Sequence, residues 1–220
     1  MRARHRHFNP KAAGAVAAYD ARFISGLSDG DNVSTWASRT GTNDATQATT
    51  GKQPNYETNE INGQPVVNFT PANSDELEIN ITVPSSFFVV KVFHRNSSGI
   101  NSIGLGGGRY DSWWFTDNVT YTYPGGTFNT HGTANTSTGN FIDSWQKNGT
   151  TSSQVWRNGA AVGANQTPAV SGSSFTAIGR ISTSYNNGKI GYISLVDQAN
   201  TPLRKRLEHA AAFSFKIACN

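Results

Sequence analysis

The chain is poor in the features that usually brace or anchor a protein. It has one cysteine, Cys219, in 220 residues, so no intrachain disulfide can form. That neither requires nor excludes an oxidising compartment. Charged residues make up 15% of the chain, well under the usual quarter. Surface polarity must therefore come largely from Ser, Thr and Asn. No stretch approaches the roughly 18 apolar residues of a membrane span, so none is predicted. A secretory signal is not predicted either. Arg2, Arg4 and Arg6 precede an apolar stretch, Ala12 to Ala18, that is short, mostly alanine and without leucine.

What the chain does have points to strands. Its 22 glycines, 11% aromatics and abundant hydroxyl and amide residues suit sheets joined by tight turns. Gly14 to Phe23 reads as a first strand, and residues 24 to 60 as long loops anchored by Trp36. Pro65 to Phe69, Leu77 to Ile81 and Phe87 to His94 follow as strands. In the last of these, Phe88, Val90 and Val92 share one face, expected to be the core. Phe87, Val89, Lys91 and Phe93 share the other, and Lys91 marks that face as solvent or rim. Tyr110 to Phe115, a hairpin over Val155 to Val162, and strands at Ala177 to Ile181 and Lys189 to Val196 complete the pattern. Asn62-Gly63, Asn148-Gly149, Asn158-Gly159 and Asn187-Gly188 favour the left-handed backbone of hairpin turns. Only the end looks helical: Thr201 can cap, Pro202 suits the first turn, and the helix is expected over 202–213. The chain divides into a basic arm, residues 1–13, and one domain, residues 14–220.

The ordered motifs carry a resemblance. Ala18-Tyr19-Asp20-Ala21 is followed by Val33-Ser34-Thr35-Trp36 and Asn43-Asp44-Ala45-Thr46-Gln47-Ala48. Gln53-Pro54, Asn62 to Phe69, Ser74-Asp75 and Phe87 to Arg95 come next. Then come Val155-Trp156-Arg157-Asn158-Gly159, Ile178-Gly179-Arg180 and Asn187-Gly188-Lys189-Ile190. This set resembles the laminin-G-like branch of the concanavalin A-like lectin/glucanase superfamily. The resemblance implies an all-β, two-sheet antiparallel jelly-roll sandwich with a short C-terminal helix. It implies no activity, because that fold carries binders, enzymes and structural modules alike. Tyr192 stands where family members often carry an acidic residue.

Three candidate sites follow. The first is aromatic: Tyr110, Trp113, Trp114, Tyr121 and Tyr123, with Asp117 and His131 as polar partners, could stack on sugar rings or anchor a protein. The second is a loop, where Asp29 and Asp31 offer oxygens for calcium, a common partner of the resembled fold. The third is the pair of basic ends. Residues 2–11 carry Arg2, Arg4, Arg6 and Lys11 with no acid; residues 204–216 carry Arg204, Lys205, Arg206 and Lys216 against Glu208. These ends hold more positive charge than the whole chain, +4, so the body between them is net acidic. That disfavours nucleic acid as a partner and favours docking to an acidic protein subunit.

Hydrolysis is the weakest expectation. Retaining glycosidases need two carboxylates about 5 Å apart. Glucanases of the resembled fold carry theirs on one strand as Glu-x-Asp-x-Glu; Glu76-Leu77-Glu78-Ile79-Asn80 is the nearest approach, with Asn80 in place of the third acid. The sequence thus predicts a non-catalytic recognition or decoration module, lectin-like or adhesive, on a virion or other extracellular particle. A glycan-binding module of an exported or cell-surface protein is the alternative, and a glucanase-like hydrolase the minority reading.

Overall fold

The computed structural model describes residues 9–96, 102–106, 112–116, 119–123, 129–133, 138–168, 173–181 and 183–220. Strands are numbered in chain order. The first sheet runs β14 (Ala160–Gln166), β13 (Ser152–Arg157), β12 (Gly139–Asn148), β7 (Ser86–Arg95), β18 (Gly188–Val196), β5 (Gln64–Phe69) and β4 (Asn55–Ile61). β1 (Ala15–Asp20) pairs with β18 beside β5. The second sheet runs β11 (Asn129–Thr133), β10 (Val119–Tyr123), β9 (Ser112–Thr116), β8 (Ser102–Gly106), β15 (Ser173–Ile178), β6 (Leu77–Val83), β3 (Ala45–Thr46) and β2 (Thr35–Trp36). A separate short pair joins β16 (Arg180–Ile181) to β17 (Ser184–Tyr185). The helix α1 (Thr201–Phe215) packs on β7 and β12. This is the two-sheet antiparallel jelly-roll sandwich that the motif order implies, with its C-terminal helix as a third layer.

The layering explains a pattern that period-2 reasoning misjudged. Phe88, Val90 and Val92 are buried as expected, but against Leu207, Ala211 and Phe215 of the helix. The opposite face of β7 is not solvent. Phe87, Val89 and Phe93 enter the core between the sheets with Trp36, Trp145 and Phe175. Lys91 is only 1% exposed. A strand buried on both faces reads as a nearly continuous apolar run, and one lysine within it does not make a face wet. In the inner core, Trp145 meets Phe87 edge-on at 4.8 Å between ring centroids and donates its indole N–H to Ser153 at 2.9 Å.

Several strands fall where none was expected, β4 and β12 among them. β4, with the sequence Asn-Tyr-Glu-Thr-Asn-Glu-Ile, lies within the region read as loop. It is an edge strand, irregular between Glu57 and Ile61, so polar residues on both faces cost little. β12 carries Asp143 and Lys147 on its inward face, which hides its strand pattern.

Local signals set the helix. Its cap is Asn200, not Thr201: the Asn200 side chain accepts from the Leu203 N–H at 3.0 Å. Lys216, at φ 53°, ends it. The Asn62 side-chain amide, in the β4–β5 turn, donates to the Phe215 and Lys216 carbonyls at 2.9 and 3.0 Å. Asn62-Gly63 and Asn158-Gly159 both take the left-handed backbone, as their sequence predicts. Gly191 sits at an irregularity of β18, where a Cβ would come within 2.5 Å of the Phe215 ring. Its missing side chain lets the helix approach the sheet.

A buried ion pair fastens the two layers. Arg204 pairs with Glu208 one turn later, and Ser144 of β12 donates to the same carboxylate. The Arg204 guanidinium also donates to Ser144 at 3.0 Å and lies 3.6 Å from the centre of the Trp156 ring. Arg204 is therefore a packing residue, not part of a basic docking end: it is 1% exposed. Removing one partner leaves the other charge buried alone. Glu208→Ala is expected to cost about 3–5 kcal/mol in urea denaturation, and Arg204→Met with Glu208→Leu to recover much of it. A single variant as stable as the parent would contradict this account.

Candidate recognition groove

The sequence-based candidates fare differently. Tyr110 and Asp117 lie outside the described residues, as do Arg2, Arg4 and Arg6. Trp113 and Trp114 fall on β9, Tyr121 and Tyr123 on β10, and the ladder pairs Trp114 with Tyr121 and Trp113 with Thr122. The aromatic strands are therefore neighbours near one end of the second sheet. His131, placed with them as a polar contact, is fully buried. Burial draws its pKa down to about 4, against a hydrogen bond with the Ala164 backbone that raises it. It is a neutral interior imidazole, not a group facing solvent.

Asp29 and Asp31 spend their carboxylates on their own loop. Asp29 accepts from the Thr58 N–H at 2.6 Å and from the Thr58 hydroxyl at 3.0 Å; these bonds lower its pKa. Asp31 accepts from the Ser28 N–H at 2.7 Å. The loop is stitched along β4 by backbone bonds from Gly30 to Tyr56 and from Tyr56 to Asp31, both 2.8 Å. It shields an open sheet edge. Among the described residues no cluster of three or more His, Cys, Asp or Glu could hold a metal ion. The same loop contains Gly26-Leu27-Ser28-Asp29-Gly30, the spacing of a nucleophile elbow. The strand-to-helix turn that gives that motif its chemistry is missing: Ser28 is exposed in a loop between the 3₁₀ turn Ala21–Phe23 and β2.

The carboxylates of the hydrolase reading separate. Glu76 precedes β6 and is buried, paired to Arg180 and, at 3.9 Å, to Lys52. Glu78 and Asn80 are exposed on β6. Glu76 is thus tied to two cations, while Glu78 faces outward.

A feature invisible to sequence reasoning lies at the far end of the helix. A groove of about 810 Å³ opens between α1, the end of β1 and the start of the next loop. Phe23 and Phe213 line it, and they are the large apolar side chains left exposed among the described residues, at 52% and 64%. Asp20 at the end of β1 caps the 3₁₀ turn Ala21–Phe23 and grips Arg22 through two bonds of 2.9 and 2.6 Å. Arg22 in turn lies 4.9 Å from the Phe215 ring centre. Arg39 stacks over Phe23 at 3.4 Å. Tyr192 is buried against this groove; burial raises its pKa, and the Asp20 charge pushes the same way. The lining joins aromatic faces to guanidinium groups, a combination suited to binding.

No family model and no curated protein matches the sequence. Solved structures do match its fold. An arabinofuranosidase complexed with arabinofuranosyl-alpha-1,2-xylobiose superposes with a TM-score of 0.65 at 11% identity, covering 92% of this chain and 64% of that one. The binding domain of Paraclostridial Mosquitocidal Protein 1 gives 0.58 at 9% identity, covering 94% and 52%. Trypanosoma rangeli sialidase in complex with sialic acid gives 0.56 at 11% identity. They share its jelly-roll sandwich. The chain spans about a third of the sialidase, 34%, so it matches one portion of that larger protein.

The inter-sheet face also holds charge. Asp143 of β12 takes a bidentate bond from Arg157 of β13, at 2.9 and 2.8 Å, and stands opposite Lys91 of β7 in the ladder. Burial pulls the Lys91 pKa down to about 7; Asp143 opposes the shift and Arg157 adds to it. Between about pH 7 and 10.5 the unfolded chain therefore binds a proton that the folded chain does not. Stability is expected to rise with pH across that window. Relative to Lys91→Met, which cannot titrate, the parent should gain on the order of 2–4 kcal/mol from pH 7 to pH 10.5 in urea denaturation. Parallel profiles for the two proteins would contradict the assignment.

Proposed function

We propose that this chain is a non-catalytic recognition module that binds glycans and is displayed on a larger particle such as a phage virion. One observation carries the glycan reading: among the described residues, the outer face of the second sheet along β2, β3, β6 and β15 presents a row of exposed polar side chains. The helix covers the central strands of the first sheet. On the second, Thr35, Thr46, Glu78, Asn80, Thr82, Ser174 and Thr176 are all exposed. The ladder sets Thr35 beside Thr46, Thr46 beside Glu78, and Thr82 beside Ser174. A rank of hydroxyl and amide groups at strand spacing suits the hydroxyls of a saccharide, and the same sheet continues into the Trp- and Tyr-rich strands β9 and β10. Matching folds come from proteins that include a sialidase, an arabinofuranosidase and a toxin's binding domain. The display reading draws on the basic ends, the sparse charge and the lack of any disulfide. Among the described residues no helix is long and apolar enough to cross a membrane.

A glycan array tests the proposal. The parent protein is expected to bind a defined subset of glycans. Asn80→Ala and Trp114→Ala should each weaken that binding about tenfold, a loss of about 1.4 kcal/mol, with circular dichroism unchanged. Binding to no glycan, or binding indifferent to both substitutions, would refute the glycan reading. Release of sugar from a polysaccharide panel, lost on Glu78→Gln, would instead establish the hydrolase.

A further inference from the structure

We infer that the groove at the C-terminal end of the helix docks an acidic, apolar-anchored segment of a partner protein. The inference rests on the proposed reading of the chain as a subunit of a larger assembly, and it is independent of the glycan face.

The argument starts from size and chemistry. At about 810 Å³ the groove is larger than a single side chain needs, and it falls in the range that holds a ligand or a peptide anchor. Phe23 gives it an exposed aromatic wall. Its charge is one-sided. Asp20 is the acid in the lining, and both of its oxygens are already engaged by Arg22. Arg39 makes no ion pair among the described residues; it is held flat over Phe23. Lys216 adds a further cation at the rim. A guanidinium fixed by stacking loses little freedom on binding a carboxylate, and it can hold one bidentately.

Three occupants are conceivable, and charge decides among them. The N-terminal arm begins beside the groove, since Pro10 lines it. That arm carries Arg2, Arg4 and Arg6 and no acid, so it would bring cations to a cationic site. A second copy packed face to face would bring the same Arg39 and Lys216 against themselves. A partner segment with carboxylates flanking an apolar residue matches both features.

The test uses a fluorescent synthetic peptide of about ten residues that alternates glutamate with leucine and phenylalanine, and a control peptide with lysine for glutamate. Fluorescence anisotropy with the full chain is expected to show binding of the first peptide only, weakening as salt rises. Arg39→Glu should weaken it at least about tenfold, and the milder Arg39→Gln and Phe23→Ala should each do so about fivefold, all with unchanged circular dichroism. No binding of the acidic peptide, equal binding of the lysine peptide, or insensitivity to Arg39 would overturn the inference. So would binding that appears only after residues 2–8 are deleted, which would make the arm the occupant. A dimer in sedimentation that Phe213→Glu dissociates would assign the groove to a second copy instead. Glycan-array results leave this test untouched, so the two readings fail separately.

Discussion

The structure depends on a sheet that must be dry on both sides. β7 has the second sheet on one face and the helix on the other, so almost every residue of the strand loses its water. Each fully buried Val or Phe there contributes about 1.5–3 kcal/mol. Every other element is arranged to supply the two covers. The jelly-roll crossing supplies one. Gly191, the Asn200 cap and the Asn62 amide bring the helix close enough to supply the other.

The same constraint governs the charges. A polar group inside such a sheet must be paired, because an unpaired charge in low dielectric costs several kcal/mol. On the inner face Asp143 holds Arg157 bidentately beside Lys91. On the outer face Glu208 holds Arg204 and Ser144. These pairs are weak evidence for added stability, since a well-packed apolar set of equal volume would often serve as well. Their effect is on register: β7, β12 and β13 can slide relative to one another only by burying an unmatched charge.

With the central strands of the first sheet enclosed, recognition falls to the surfaces that stay exposed. One such surface is the hydroxyl-rich outer face of the second sheet, and the other is the groove at the end of the helix. They draw on different chemistry. The first offers neutral hydrogen-bonding groups at regular spacing; the second offers aromatic faces with fixed cations.

The sequence by itself determined a good deal. Turn chemistry at Asn62-Gly63 and Asn158-Gly159, the apolar run of β7 and the presence of the C-terminal helix follow local rules, because backbone preference and side-chain period act over a few residues. The order of those motifs was enough to imply the sandwich. Tertiary structure alone decided what each charge does. Lys91 reads as a solvent marker and is buried; Arg204 reads as a docking cation and is a packing group; His131 reads as a ligand contact and is interior. Burial depends on what crosses over a residue, and that cover comes from segments distant in the chain. The groove is the same case in reverse: Phe23, Arg39 and Phe213 share no local pattern and meet only because β1 and the helix end beside each other. Local physics sets the elements, while the fate of a charge or an exposed ring is set by long-range packing.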